Sequence, residues 1–183
     1  QKIEAYYNKD KPLSGGIYSE GNLGKFSRIN PLYSGTNQND EDAVRLIFSG
    51  FMKYGNDRKL ETDLASKWSL SEDRKTYTFE IKKGGKWHDG TDFSADDSLF
   101  TIETIQNPDT QSYLYESWKG VKAEKTEKGE IKLILAEPSD SFLENTTLKI
   151  LPKHILGKIP AASMQTVDFN TKPIGTGPYK FNN

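Results

Sequence analysis

The residues best suited to chemistry in this chain are its two histidines, His88 and His154, which lie far apart in sequence. His88 is followed directly by Asp89, an order that could serve as an acid–base pair. Catalysis of that kind needs a nucleophile and an oriented base within reach of each other. No serine sits in the G-x-S-x-G turn that exposes a nucleophile. The plainer reading places His88-Asp89 in a turn after a strand, shaped by Asp89-Gly90, and assigns no catalytic residue.

Metal and phosphate sites fare no better. The run Asn37-Gln38-Asn39-Asp40-Glu41-Asp42 is rich in oxygen ligands, but a calcium loop of the EF-hand type needs Gly at its sixth position, where Asp42 stands. A solvated helix entry explains it. No His-x-x-x-His spacing supports zinc, and the absence of cysteine removes thiolate sites and disulfides. Gly175-Thr176-Gly177-Pro178 is glycine-rich, yet no Gly-Lys-Ser/Thr follows, so it is not a P-loop. Asp96-Asp97 suits a helix start, where the dipole favours negative charge. No metal or cofactor is implied. Trp68, Trp87 and Trp118 could line a core or a cleft, and each taken alone reads as core.

The elements that would position these residues follow from periodicity and punctuation. Residues 1–13 read as a flexible lead-in, and Gly15-Gly16 as the opening of a short β pattern through Ser19. Asn30 to Asp42 reads as a loop. A helix then follows, with Ala43, Ile47 and Phe51 at fourfold spacing. Thr76 to Lys82 alternates as a half-buried strand, with Tyr77, Phe79 and Ile81 on one face. Gly84-Gly85 and Asp89-Gly90 mark turns around Lys86-Trp87-His88. Ser94 and Asp97 resemble a capping box at the start of a second helix, which Asn107-Pro108 ends. Val121–Lys125 and Ile131–Leu135 form a hairpin about Lys128-Gly129. Short helices are expected from Ser139 to about Thr146 and from Pro152. Ile174 to Phe181 reads as a Gly/Pro loop leading into a short strand. This order, without regular βαβ alternation, argues an α+β (mixed α/β) fold with an antiparallel sheet.

The bulk properties narrow the function classes. Of 183 residues, 34% are apolar and 28% charged, with nine Tyr, nine Phe and three Trp able to build a core. The formal net charge of −1 gives no long-range pull on a polyanion, so a nucleic-acid partner is not expected. No apolar run reaches the ~18 residues a bilayer span needs. The polar opening from Gln1 suits a mature exported protein or a trimmed chain.

Several segments, in order and spacing, resemble family 5 extracellular solute-binding proteins, the oligopeptide/dipeptide/nickel-binding proteins of ABC transporters. Asn30-Pro31-Leu32-Tyr33 resembles the family's early N-P-L segment. Ile47-Phe48-Ser49-Gly50-Phe51 resembles its helix ending in F-x-G-L, with Phe51 for the usual Leu. Leu64 to Asp73 resembles L-A-x-x-W-x-x-S-x-D. Thr76-Tyr77-Thr78-Phe79, Lys86-Trp87-His88-Asp89-Gly90 and Phe93-Ser94-Ala95-Asp96-Asp97 follow. Pro173 to Tyr179 resembles P-x-G-T-G-P-Y. Arg74-Lys75 stands where a Gly is common.

The resemblance implies the N-terminal part of a two-lobed, class II periplasmic-binding-protein fold. By analogy, residues 1–47 form the first segment of the ligand-binding lobe. Residues 48–169 form an inserted α+β subdomain, residues 170–183 begin the returning lobe segment, and a second lobe is absent. The implied function is to bind oligopeptides outside the membrane and deliver them to an ABC permease, without enzymatic activity. A monomer is expected, on the cell surface or in the periplasm, touching the membrane only through a lipid anchor outside this chain. Such a piece alone is expected to bind peptide weakly or not at all. The implied ligand contacts are Tyr33, Ser34, Gly35 and Thr36 in the loop after Asn30-Pro31, and Tyr113 with Tyr115 and Trp118. Trp68, Trp87, Asp89, Gly90, Gly175 and Gly177 read as structural hallmarks. Alternatives remain: a nickel chelate, haem or oligosaccharide as ligand, or a protein-docking role.

Overall fold

The computed structural model describes residues 15–182 other than 18, 20 and 22. The expected lead-in over 1–13 therefore lies outside the described residues. Residues 15–17 carry no regular secondary structure, so the β pattern expected there does not form at Ile17, which stands 93% exposed without a strand partner.

The chain enters its body at Ser27. A fully buried carboxylate, Asp40, accepts bonds from the Ser27 amide at 2.8 Å and the Arg28 amide at 2.9 Å. Helix α1 runs Gln38–Ile47, with Asn37 as its cap accepting from the Asn39 amide at 3.0 Å. It thus begins inside the stretch expected to be a loop, because Asn37 supplies an oxygen to the orphan amides of the first turn. It also ends before Phe51. Phe48 turns extended (φ −117, ψ 148), and Gly50 pairs antiparallel with Lys149.

Strands β1 (Met52–Tyr54) and β2 (Leu60–Thr62) form a hairpin. Then β3 (Ala65–Leu70) and β4 (Thr76–Ile81) lead to helix α2 (Ala95–Gln106). A single-turn helix α3 (Tyr115–Trp118) precedes the hairpin of β5 (Lys122–Lys125) and β6 (Ile131–Ile134). Short helices α4 (Phe142–Asn145) and α5 (Lys153–Leu156) complete the order. The main sheet is antiparallel, in the order β3-β4-β6-β5.

Its register sets the core. Tyr77 faces Leu133 and Phe79 faces Ile131, and all four are buried. Phe51 stacks on Phe79 at 4.9 Å, and Phe142 bridges Tyr77 at 5.3 Å and Trp118 at 5.6 Å. Ile102 and Ile105 of α2 are fully buried within the same cluster. Such apolar burial at about 25 cal/mol per Å² is the main favourable contribution to the fold.

The start of α2 is pinned at two levels. Ser94 and Asp97 close the reciprocal capping box that their spacing predicts. Asp97 then spends its second oxygen on the Lys153 amide at 3.0 Å, tying α2 to the first turn of α5.

No strand forms between Ile174 and Asn182, contrary to the expectation for that segment. Its amides go elsewhere: Gly177 donates to the Ile47 carbonyl at 2.8 Å and Tyr179 to the Leu46 carbonyl at 3.1 Å. These are carbonyls at the C-terminus of α1, which lack partners within the helix. The segment caps a helix instead of extending a sheet.

Candidate ligand-binding site

The segment Asn30-Pro31-Leu32-Tyr33 is held from inside. Asn30, fully buried, accepts from the Leu32 amide at 2.9 Å and donates to Asn170 at 2.7 Å. The Ile29 amide donates to the Asn170 carbonyl at 2.8 Å. This clamp fixes the turn Ser34–Thr36 at the mouth of a cavity of about 890 Å³. One wall comes from Pro31, Ser34 and the α1 residues Glu41, Val44 and Arg45. Opposite lie Lys53 and Tyr54 of β1, Asp63, and the stretch Glu144 to Lys149. Tyr113, Leu114 and Ser117 close one side, and Thr176, Gly177 and Pro178 complete the lining.

The residues expected to contact ligand are dispersed by this geometry. Ser34 and Tyr113 line the cavity together. Tyr113 is 50% exposed, and its ring lies against Gly35, where an added Cβ would meet Cε2 at 2.5 Å. Packing pushes the Tyr113 phenol above its ordinary range, against an opposing pull from Ser34. Trp118 also borders the cavity but is 1% exposed, its ring edge-on to Phe142.

Tyr33 turns inward. Its hydroxyl donates to the Thr110 carbonyl at 2.9 Å, and Arg28 sits 5.0 Å from the ring centre. Burial pushes that hydroxyl up to about 12, against the opposing charge of Arg28. Thr36 is exposed outside the cavity lining. Tyr115 lines a separate, shallower depression with Ile102, Gln106 and Lys119, and the Lys119 ammonium lies 5.6 Å from its ring centre.

Of the hallmark residues only Gly177 lines the cavity. Trp87 is buried, edge-on to Phe93 at 5.9 Å, just ahead of α2. Asp89 accepts from the Thr91 amide at 3.0 Å, and Gly90 takes the left-handed φ of 91 that this turn requires. The other oxygen of Asp89 meets His154 Nε2 at 2.7 Å, a partner that sequence spacing does not reveal. Gly175 and Gly177 press against α1: a Cβ on Gly175 would fall 1.9 Å from the Ile47 carbonyl oxygen. Trp68 remains 37% exposed on β3, stacked at 6.1 Å on Tyr77.

The sequence reading missed the charged lining, Arg45, Lys53, Asp63 and Lys149, because these residues are distant in sequence and meet only in the folded chain, partly through the pairing of Gly50 with Lys149. Burial lowers the basicity of Lys149 in this wall, against the counteracting charge of Asp63. Among the described residues no cluster of His, Asp or Glu could hold a metal ion, and no helix is long and apolar enough to cross a membrane.

Solved structures put this architecture in the class of solute-binding proteins with the periplasmic-binding-protein fold. The chain aligns with the oligopeptide-binding protein AppA from Bacillus subtilis in complex with a nonapeptide at a TM-score of 0.86 and 32% identity. That match covers 94% of this chain and 35% of AppA. NikZ from Campylobacter jejuni, in complex with Ni(L-His), aligns at a TM-score of 0.78 and 35% identity, over 87% of this chain and 31% of NikZ. In sequence, AppA of B. subtilis (strain 168) is 36% identical over 179 residues, 93% of this chain and 32% of that protein. The chain belongs to the bacterial extracellular solute-binding proteins, family 5, matching the part described as Middle over residues 59–183. It spans 31–35% of the lengths of these relatives.

Proposed function

We propose that this chain contributes one wall of the peptide-binding cleft in the substrate-binding component of an ABC importer. The single observation behind this reading is the cavity of about 890 Å³ beside the clamped turn Ser34–Thr36, in a chain so similar to nonapeptide-bound AppA. Ser34 and Tyr113 are the ligand contacts best placed in that wall. Trp118 supports it from the core, and Gly35 leaves room for the Tyr113 ring. Residues 1–47 and 170–183 act as lobe segments, and 48–169 as an inset subdomain.

Peptides suit such a cleft because every peptide offers the same backbone N–H and C=O pattern, read as an added strand would be. A wall open on one side buries too little ligand for tight binding, so an opposing surface is required. Closure of that surface is then selected by ligand contacts, and the closed form is what a membrane-embedded permease reads.

Mass spectrometry of ligand released from the full-length protein, purified from its host, tests the reading. Short peptides of mixed sequence are the expected result. A nickel chelate, haem or an oligosaccharide in their place would overturn it.

A further inference from the structure

Three cationic side chains line the cavity: Arg45, Lys53 and Lys149. Two are already engaged. Arg45 meets Glu41 at 2.6 Å, and Lys53 meets Glu61 at 3.3 Å. Lys149 has no ion pair or side-chain hydrogen bond among the described residues. The charge that acts on it most strongly is Asp63, whose carboxylate accepts from the Gly50 amide at 3.2 Å. The Lys149 backbone is fixed by its bridge to Gly50, so the ammonium is presented from a rigid wall.

We infer that Lys149 is a specificity residue that receives a carboxylate of the bound ligand. This rests on the peptide-binding reading above and deepens it, by adding a charge preference to a cleft that otherwise reads backbone. The physical argument is one of balance. An ammonium partly withdrawn from water and left without a partner is a cost to the fold. A ligand carboxylate offsets that cost through a charge-assisted bond. Arg45 and Lys53, although paired, line the same cavity and add positive potential at Lys149. The carboxylate has two sources in a peptide, an acidic side chain or the free C-terminus.

The test uses the full-length protein, freed of co-purified ligand, and its Lys149→Gln and Lys149→Arg variants. Calorimetry is run with four matched peptides: acidic or neutral side chain, each with a free or amidated C-terminus. Lys149→Gln should weaken binding of one carboxylate class by about tenfold, the range of a charge-assisted bond, and leave the neutral amide unchanged. Lys149→Arg should retain most of the affinity. Loss confined to acidic side chains assigns the side-chain source, and loss confined to free C-termini assigns the terminal one. Thermal unfolding of Lys149→Gln should show no loss of stability, whereas a lysine needed for folding would show one. Equal affinities for all four peptides in the wild type and Lys149→Gln, or an equal loss for all four, would overturn the inference while leaving peptide binding intact. Failure of the wild type to bind any of the four would instead overturn the peptide reading, and this inference with it.

Discussion

The imidazole of His88 donates from Nε2 to the carbonyl of Gly177 at 2.9 Å, across 89 positions of chain. Its Nδ1 accepts from the Gly175 amide at 3.3 Å, and the His88 amide donates to the Gly175 carbonyl at 2.9 Å. The Trp87-His88-Asp89-Gly90 turn and the Gly175–Pro178 loop are therefore two halves of one hydrogen-bonded joint. His88 works there as a connector, with each ring nitrogen making one of the joint's hydrogen bonds.

That joint has no room for a side chain on Gly175. Gly175→Ala would drive a methyl into the Ile47 carbonyl, which is helix backbone and cannot swing aside. A loss of about 3 kcal/mol is expected, at the upper end of overpacking effects. Urea unfolding reads it directly, and a loss under about 1 kcal/mol would contradict the close approach.

Asp89 gives the fold a dependence on acid. Partial burial pushes its carboxyl up, but the bonds from His154 and from Thr91 override this and hold it below the ordinary 3.8. Because the folded value lies below the unfolded one, the stabilisation is present above the unfolded value and is lost as pH falls through the folded one. Asp89→Asn should therefore lower stability near neutral pH and flatten the decline below about pH 4, where the ordinary carboxylate titrates. Denaturant midpoints at a series of pH values decide it, and parallel curves for the two proteins would refute it.

Trp118 and Tyr115, three residues apart, should separate sharply. Trp118→Ala removes a 1%-exposed ring from contact with Phe142 and should cost about 3–5 kcal/mol. Tyr115→Ala alters a partly exposed ring beside Lys119 and should stay within about 1 kcal/mol. Equal losses in thermal unfolding would mean that the two rings share one environment.

Gly35 and Tyr113 predict a change in binding without a change in fold. Gly35→Ala places a methyl 2.5 Å from the Tyr113 ring, but that ring is half-exposed and can yield toward solvent at the cost of its contact with Ser34. Stability should change by less than about 1 kcal/mol. Peptide affinity of the full-length protein should fall measurably, because the cavity's side wall is displaced. An unchanged affinity would remove Tyr113 from the binding surface.

Much of the scaffold was legible because its signals are local. The alternation of Thr76–Ile81, the Ser94/Asp97 box and the Lys128-Gly129 turn each declare themselves within a few residues. The start of α1 was not legible, since Asn37 lies in a run of polar residues any loop could contain. The buried role of Asp40 depends on Ser27 and Arg28 folding back, which no spacing rule records. The short strand expected after the Gly/Pro loop from Ile174 does not form, because the segment's backbone partner is the end of a helix. The site divides the same way. Ser34 and Tyr113, expected through the family resemblance alone, both line the cavity, while Tyr33 spends its hydroxyl on Thr110, and Lys149 joins the wall because its stretch pairs by backbone with Ser49, Gly50 and Met52.

Two passes of backbone run side by side where α1 ends. One leaves Ile47 for the strands beyond, and the other returns through Gly175 and Gly177, with amides bonded to the Leu46 and Ile47 carbonyls. A lone tether would permit swivelling about its own axis. Paired tethers, laced together and backed by His88, resist torsion more than a lone one would. Any strain between α1 and the strands should thus be taken up at this joint by bending, like a door and not a ball joint.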